Sequence, residues 1–133
     1  MEDHEPEEEK LKNPNNIGEL ISISRDVETF PNRVYRSVKE RAAVDDLIQS
    51  GVVRNKQAAG LAEESRWGER VFWSRGEEGK YHNVQTGGYL YEAPFNIASE
   101  RQITIDDLTA VYHKNETGEI NDILGEVLSE SLK

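Results

Sequence analysis

Arg33-Val34-Tyr35-Arg36-Ser37-Val38 decides how this chain is read. Apolar and polar side chains alternate along it, the pattern of a strand with two different faces. Ser37-Val38-Lys39-Glu40 matches a capping box, in which the serine hydroxyl and the glutamate carboxylate satisfy each other's backbone N–H groups. Ala43, Val44, Leu47 and Ile48 then make one apolar stripe, and Gly51 follows as a helix-terminating glycine. A helix is expected over 38–50, with Arg36 and Ser37 at the strand-to-helix turn. Downstream, Val71-Phe72-Trp73-Ser74 reads as a second strand. Tyr89-Leu90-Tyr91-Glu92-Ala93 reads as a third, ended by Pro94. Both tryptophans and four of the five tyrosines fall within 32–94, so the core should be built there.

Working outward, residues 57–62 suggest a helical turn inside an irregular stretch, 52–70. Two glycines build a turn at 75–80, and a short strand is expected to return over 81–84. Beyond Pro94 the expectations are a helical turn at 95–100, a strand at 102–105, a turn at Asp106-Asp107 and a strand at 108–113. Asn115-Glu116-Thr117-Gly118 breaks the pattern. Ile120, Ile123, Leu124, Val127, Leu128 and Leu132 then recur at helical spacing, which predicts an amphipathic helix over 119–132, capped by Asn115 or Thr117. Its stripe would pack on the sheet or form the seam of a homodimer. At the other end, 20–23 fits a short strand, while Ile17, Leu20 and Ile21 fit one helical turn. Residues 1–16 read as a disordered acidic tail, because they have almost nothing apolar to offset their ordering entropy. The expected architecture is α+β: a small mixed or split β-sheet flanked by helices, with a C-terminal amphipathic helix, in a single domain over 17–133.

The net charge is −10. Six acids crowd the first ten residues against Lys10, and the rest of the chain carries twenty acids and fifteen bases. Nothing resembles a basic stripe that would release counterions from a phosphate backbone, so direct nucleic-acid binding is disfavoured. Such an acidic body suits docking on a basic protein partner or mimicry of nucleic acid, but a charged surface that keeps the protein soluble is the commoner meaning. There are no cysteines, which removes disulfides, thiolate nucleophiles and cysteine zinc sites and fits a reducing, cytoplasmic setting. No apolar run has the roughly 18 residues of a membrane span. The chain contains no phosphate-binding glycine loop, no G-x-S-x-G elbow and no H-E-x-x-H. His82 and His113 stand apart, and no metal is expected.

Three residues carry candidate chemistry. Arg36, on the opening strand, would aim its planar fork at a phosphate or carboxylate, or else pair with a nearby acid. Ser74, ending the aromatic strand, would orient a ligand hydroxyl or be an ordinary strand-end serine. Glu92 would be a partly buried carboxylate with a catalytic role or a solvent-facing position of an alternating strand.

In that order, Val34-Tyr35-Arg36-Ser37-Val38, a helix ending at Ser50-Gly51, Val71-Phe72-Trp73-Ser74 and Tyr89-Leu90-Tyr91-Glu92 resemble the small ADP-ribosyltransferase-like domains of bacterial toxins, over about 32–114. The resemblance implies a split sheet that clamps NAD and transfers ADP-ribose to a macromolecular target. It gives Arg36 the dinucleotide phosphate or ribose, Ser74 the nicotinamide ribose and Glu92 the cationic transition state. Tyr35, Arg36, Ser37 and Trp73 are the implied cofactor contacts. The chain departs from the family in lacking the full serine-threonine-serine pattern and a Q-x-E or E-x-E. Asp106, Asp107 or Glu116 are therefore alternatives for the carboxylate. The competing reading is an acidic, non-enzymatic binding module of the immunity-protein or nucleic-acid-mimic kind.

Overall fold

The computed structural model describes residues 15–17, 32–55, 59–61, 71–74, 84 and 86–133. The protein is α+β. Strand β1 (Asn15–Ile17) pairs in parallel with β3 (Val71–Trp73). The larger sheet is antiparallel, in the order β2 (Arg33–Val38), β4 (Tyr89–Pro94), β5 (Ala110–Lys114), β6 (Ile120–Asp122). A single bridge joins the two sheets. Tyr35 N–H donates to Ser74 O at 2.6 Å, and Ser74 N–H donates back to Tyr35 O at 2.8 Å. The sheet is thus split between β2 and β3, one of the two forms expected for it.

Residues facing each other across β2, β4 and β5 share a face of the sheet. On one face stand Val34, Arg36, Val38, Tyr89, Tyr91, Ala93 and Val111. Apart from Arg36, all of these belong to the main core, with Val71 and Trp73. Helix α1 (Arg41–Ser50) adds buried Val44 and Leu47, and α3 (Leu124–Ser131) adds buried Val127. The other face carries Tyr35, Leu90, Glu92 and Tyr112, with buried Val84 packed on Tyr35 and Leu90.

Helix α1 begins at Arg41, with Glu40 at its N-cap and no side-chain cap hydrogen bond there. The expected capping box is not formed. Ser37 and Val38 remain in the strand, paired with Leu90 and Tyr89, because ladder pairing across the sheet outweighs a local cap. The C-terminal expectation holds: Gly51 takes φ 77° and donates its N–H to Leu47 O at 2.8 Å, a left-handed stop that costs least at glycine.

Two other segments differ from expectation. The strand expected at 102–105 shrinks to one bridge, Thr104 with Val52, before a 3₁₀ turn (Ile105–Asp107). The helix expected from 119 starts at Leu124, and Ile120–Asp122 is the edge strand β6. A hairpin turn decides this. Asn115 Oδ1 accepts from Thr117 N–H, Thr117 Oγ1 and Glu119 N–H at 2.8–3.0 Å, and Gly118 adopts φ 91°. Asp122 Oδ1 then accepts the Leu124 N–H at 2.9 Å, which marks where α3 begins. Of the predicted stripe, Val127 is fully buried, whereas Leu132 is 87% exposed.

The short helix α2 (Phe95–Ala98) follows Pro94, as expected. Asn15 and Asn16, assigned by sequence to the tail, lie in β1. Asn15 is buried: its Oδ1 accepts from Trp73 Nε1–H at 3.0 Å, and its Nδ2 donates to Ala98 O and Arg101 O at 2.9 and 2.7 Å. The expectations for 1–14, 20–23, 62–70, 75–80 and 81–83 fall outside the described residues. Among the described residues no helix is long and apolar enough to cross a membrane.

Candidate functional site

Register settles how the three candidates relate. Tyr35 faces Glu92 across β2 and β4, and Ser74 faces Tyr35 across the split. Ser74, Tyr35 and Glu92 therefore form one row on one face. Arg36, the next residue along β2, faces Tyr91 on the opposite face. The structure brings Ser74 and Glu92 onto the same face and places Arg36 behind them. The implied cofactor contacts divide the same way. Tyr35 and Ser37 lie with Glu92, whereas Trp73 lies with Arg36, its indole N–H already taken by Asn15 in the core.

Glu92 is 5% exposed, so it is not a solvent-facing position. Thr109 Oγ1 donates to Oε1 at 2.6 Å, Tyr112 OH to Oε2 at 3.4 Å, and Arg33 Nε lies 3.9 Å from Oε1. Two hydroxyls and a cation hold the carboxylate, as burial of a charge demands. Ser74 is 1% exposed, its backbone closing the bridge to Tyr35.

Arg36 has a different environment. One terminal nitrogen donates to Phe72 O at 3.1 Å, which spans the split from β2 to β3. Nε is shut off from solvent and has no acceptor. Among the described residues no carboxylate pairs with Arg36. Burial pushes its affinity for a proton down, and the neighbouring Tyr91 acts the other way. A guanidinium nevertheless stays charged in any protein setting. Tyr91 is 2% exposed, and its hydroxyl also lacks a partner. Burial pushes its ionisation above the ordinary tyrosine range, against the pull of Arg36. It is therefore a neutral O–H donor.

The sequence reading passed over Tyr91 and Arg33. A signal existed for both. Alternation puts Arg36 with Val34 and Val38, a cation on an apolar face, and puts Arg33 with Tyr35 and Ser37 on the other. The alternative carboxylates lie elsewhere. Asp107 is held by Arg101 at 2.6 Å, and Asp106 and Glu116 are exposed. His113 stacks on Tyr89, with ring centroids 4.2 Å apart, and its Nδ1–H donates to Gly88 O at 3.0 Å. Among the described residues no group of three or more His, Asp or Glu side chains is placed to hold a metal ion. Compared with protein-family models, with curated proteins and with solved structures, the chain matches none.

Proposed function

We propose that this chain is an ADP-ribosyltransferase-like domain that binds NAD through Arg36 at the split of the sheet and transfers ADP-ribose to a macromolecular target. One observation carries the reading: a largely enclosed guanidinium with a spare donor and no carboxylate partner among the described residues. Taking a cation out of water costs several kcal/mol unless an anion compensates it. A dinucleotide pyrophosphate supplies that charge and matches the planar fork. In ADP-ribose transfer the bond between nicotinamide and its ribose breaks, positive charge develops on the ribose, and a target nucleophile takes nicotinamide's place. Arg36 contributes by fixing the diphosphate, so that the reacting carbon is held in position. Glu92 lies on the opposite face and has no share in that contact. Thermal unfolding with and without NAD tests the reading. A ligand bound only by the folded state raises the melting temperature by mass action. An unchanged melting temperature at millimolar NAD contradicts it.

A second reading, an acidic module docking on a basic protein, is favoured by the far edge of the sheet. Glu116, Glu119 and Asp122 are exposed there and Glu126 and Glu130 on α3, the last paired with Arg41, against Lys133 alone over 116–133. Under this reading association with a basic partner slows as salt rises, because screening removes the steering. An on-rate indifferent to salt removes it.

A further inference from the structure

We propose that the Tyr91 hydroxyl is the second donor of an oxyanion subsite whose first donor is Arg36, and that this subsite takes a phosphate-type group. The inference rests on the NAD reading above and assigns a new residue to it. Arg36 and Tyr91 are direct partners across β2 and β4, so their side chains leave the sheet on the same face. Their ionisations are coupled, as expected of near neighbours. Both carry a buried donor without an acceptor, Nε–H on one and O–H on the other. Buried donors are almost always satisfied, and one left open costs about as much as a lost hydrogen bond. Two such donors side by side, one cationic and one held neutral, suit an acceptor-only ligand with several oxygens. A phosphate has that chemistry.

The other charges near the phenol do not supply the missing acceptor. Asp46 contributes to its electrostatics, but the carboxylate is gripped by Arg54 at 2.7–3.2 Å. Arg41, also within influence, is bound to Asp45 and Glu130. Tyr89 is stacked on His113. Arg36 is partly buried as a residue, whereas Tyr91 is 2% exposed.

The test is a calorimetric titration of the parent protein and Tyr91→Phe with sodium pyrophosphate and, separately, with NAD. Melting temperatures of both proteins are recorded without ligand. Tyr91→Phe should bind each ligand roughly tenfold more weakly, as expected for one lost hydrogen bond to a charged group. Its melting temperature should be unchanged or higher, since the hydroxyl it lacks had no partner. Equal affinities in parent and variant overturn the role of Tyr91 and leave the NAD reading standing. Tyr91-dependent binding of pyrophosphate without binding of NAD keeps the subsite and defeats the transferase reading. Binding of neither ligand overturns both. A drop of several degrees in the variant shows that the hydroxyl serves the fold and also overturns the proposal.

Discussion

Arg33 and Arg36 stand three residues apart on β2 and meet opposite circumstances. Arg33 lies on the face that holds Glu92, whose carboxylate also gathers Thr109 and Tyr112. Arg36 lies on the core face among valines and tyrosines, with one backbone carbonyl for company. A spacing of three is odd, so a strand sends the two side chains to opposite sides. The comparison separates two uses of buried polarity. On one face a buried carboxylate gathers two hydroxyls and the charge of Arg33, although Arg33 Nε, 3.9 Å away, has no hydrogen-bond acceptor of its own. On the other, Arg36 Nε and the Tyr91 hydroxyl also lack acceptors, and among the described residues no carboxylate pairs with the cation.

Breaking the first face should have the larger effect. Glu92→Ala removes the acceptor of Thr109 and the counter-charge of Arg33, and should cost roughly 1.5–3 kcal/mol in urea unfolding, the range for hydrogen bonds to a charged group. Arg36→Met sharpens the contrast. It replaces an uncompensated cation with an apolar chain of similar reach, so stability should be unchanged or improved. If Arg36→Met loses as much stability as Glu92→Ala, the two faces are alike and Arg36 has a structural partner.

The smallest effect belongs to a third setting, an ion pair facing solvent. The hydrogen bond from Arg101, with help from Thr104, holds the Asp107 carboxyl down from 3.8 to about 2. A folded-state value below the unfolded one means that the stabilisation is present above about pH 4 and fades as pH falls towards 2. Arg101 is half exposed, so the contribution is small. Asp107→Asn should lower stability slightly at neutral pH and flatten its decline between about pH 4 and 2. Parallel pH profiles for parent and variant would show that the pair contributes nothing.

Local chemistry made much of this fold readable. The alternation through 33–38 and 89–93 places β2 and β4, and Gly51 ends α1 because a left-handed residue is needed there. What failed was competition between local and distant partners. Ser37 and Glu40 satisfy a capping pattern in sequence, yet Ser37 has a strand partner 53 positions away in Leu90. Ile120 fits the helical stripe of 119–132, but from a strand its half-buried side chain packs against the Tyr35–Leu90 cluster. The side chain of Asn115, rather than apolar spacing, decides between them. Asn15 looked like tail because its partner Trp73 is remote in sequence. The candidate site was half legible. Its residues could be named, but the assignment to faces needed the parity of β2 carried through to Tyr91 and Glu92.

The central claim is that Arg36 awaits an anion that NAD provides. Isothermal titration of NAD into the parent and into Arg36→Lys tests it most directly, because lysine keeps the charge and loses the planar fork. The account predicts measurable heat from the parent at millimolar NAD or below, and affinity at least roughly tenfold weaker in Arg36→Lys, with little change in fold stability. No heat from the parent, or the same affinity in both proteins, would contradict it.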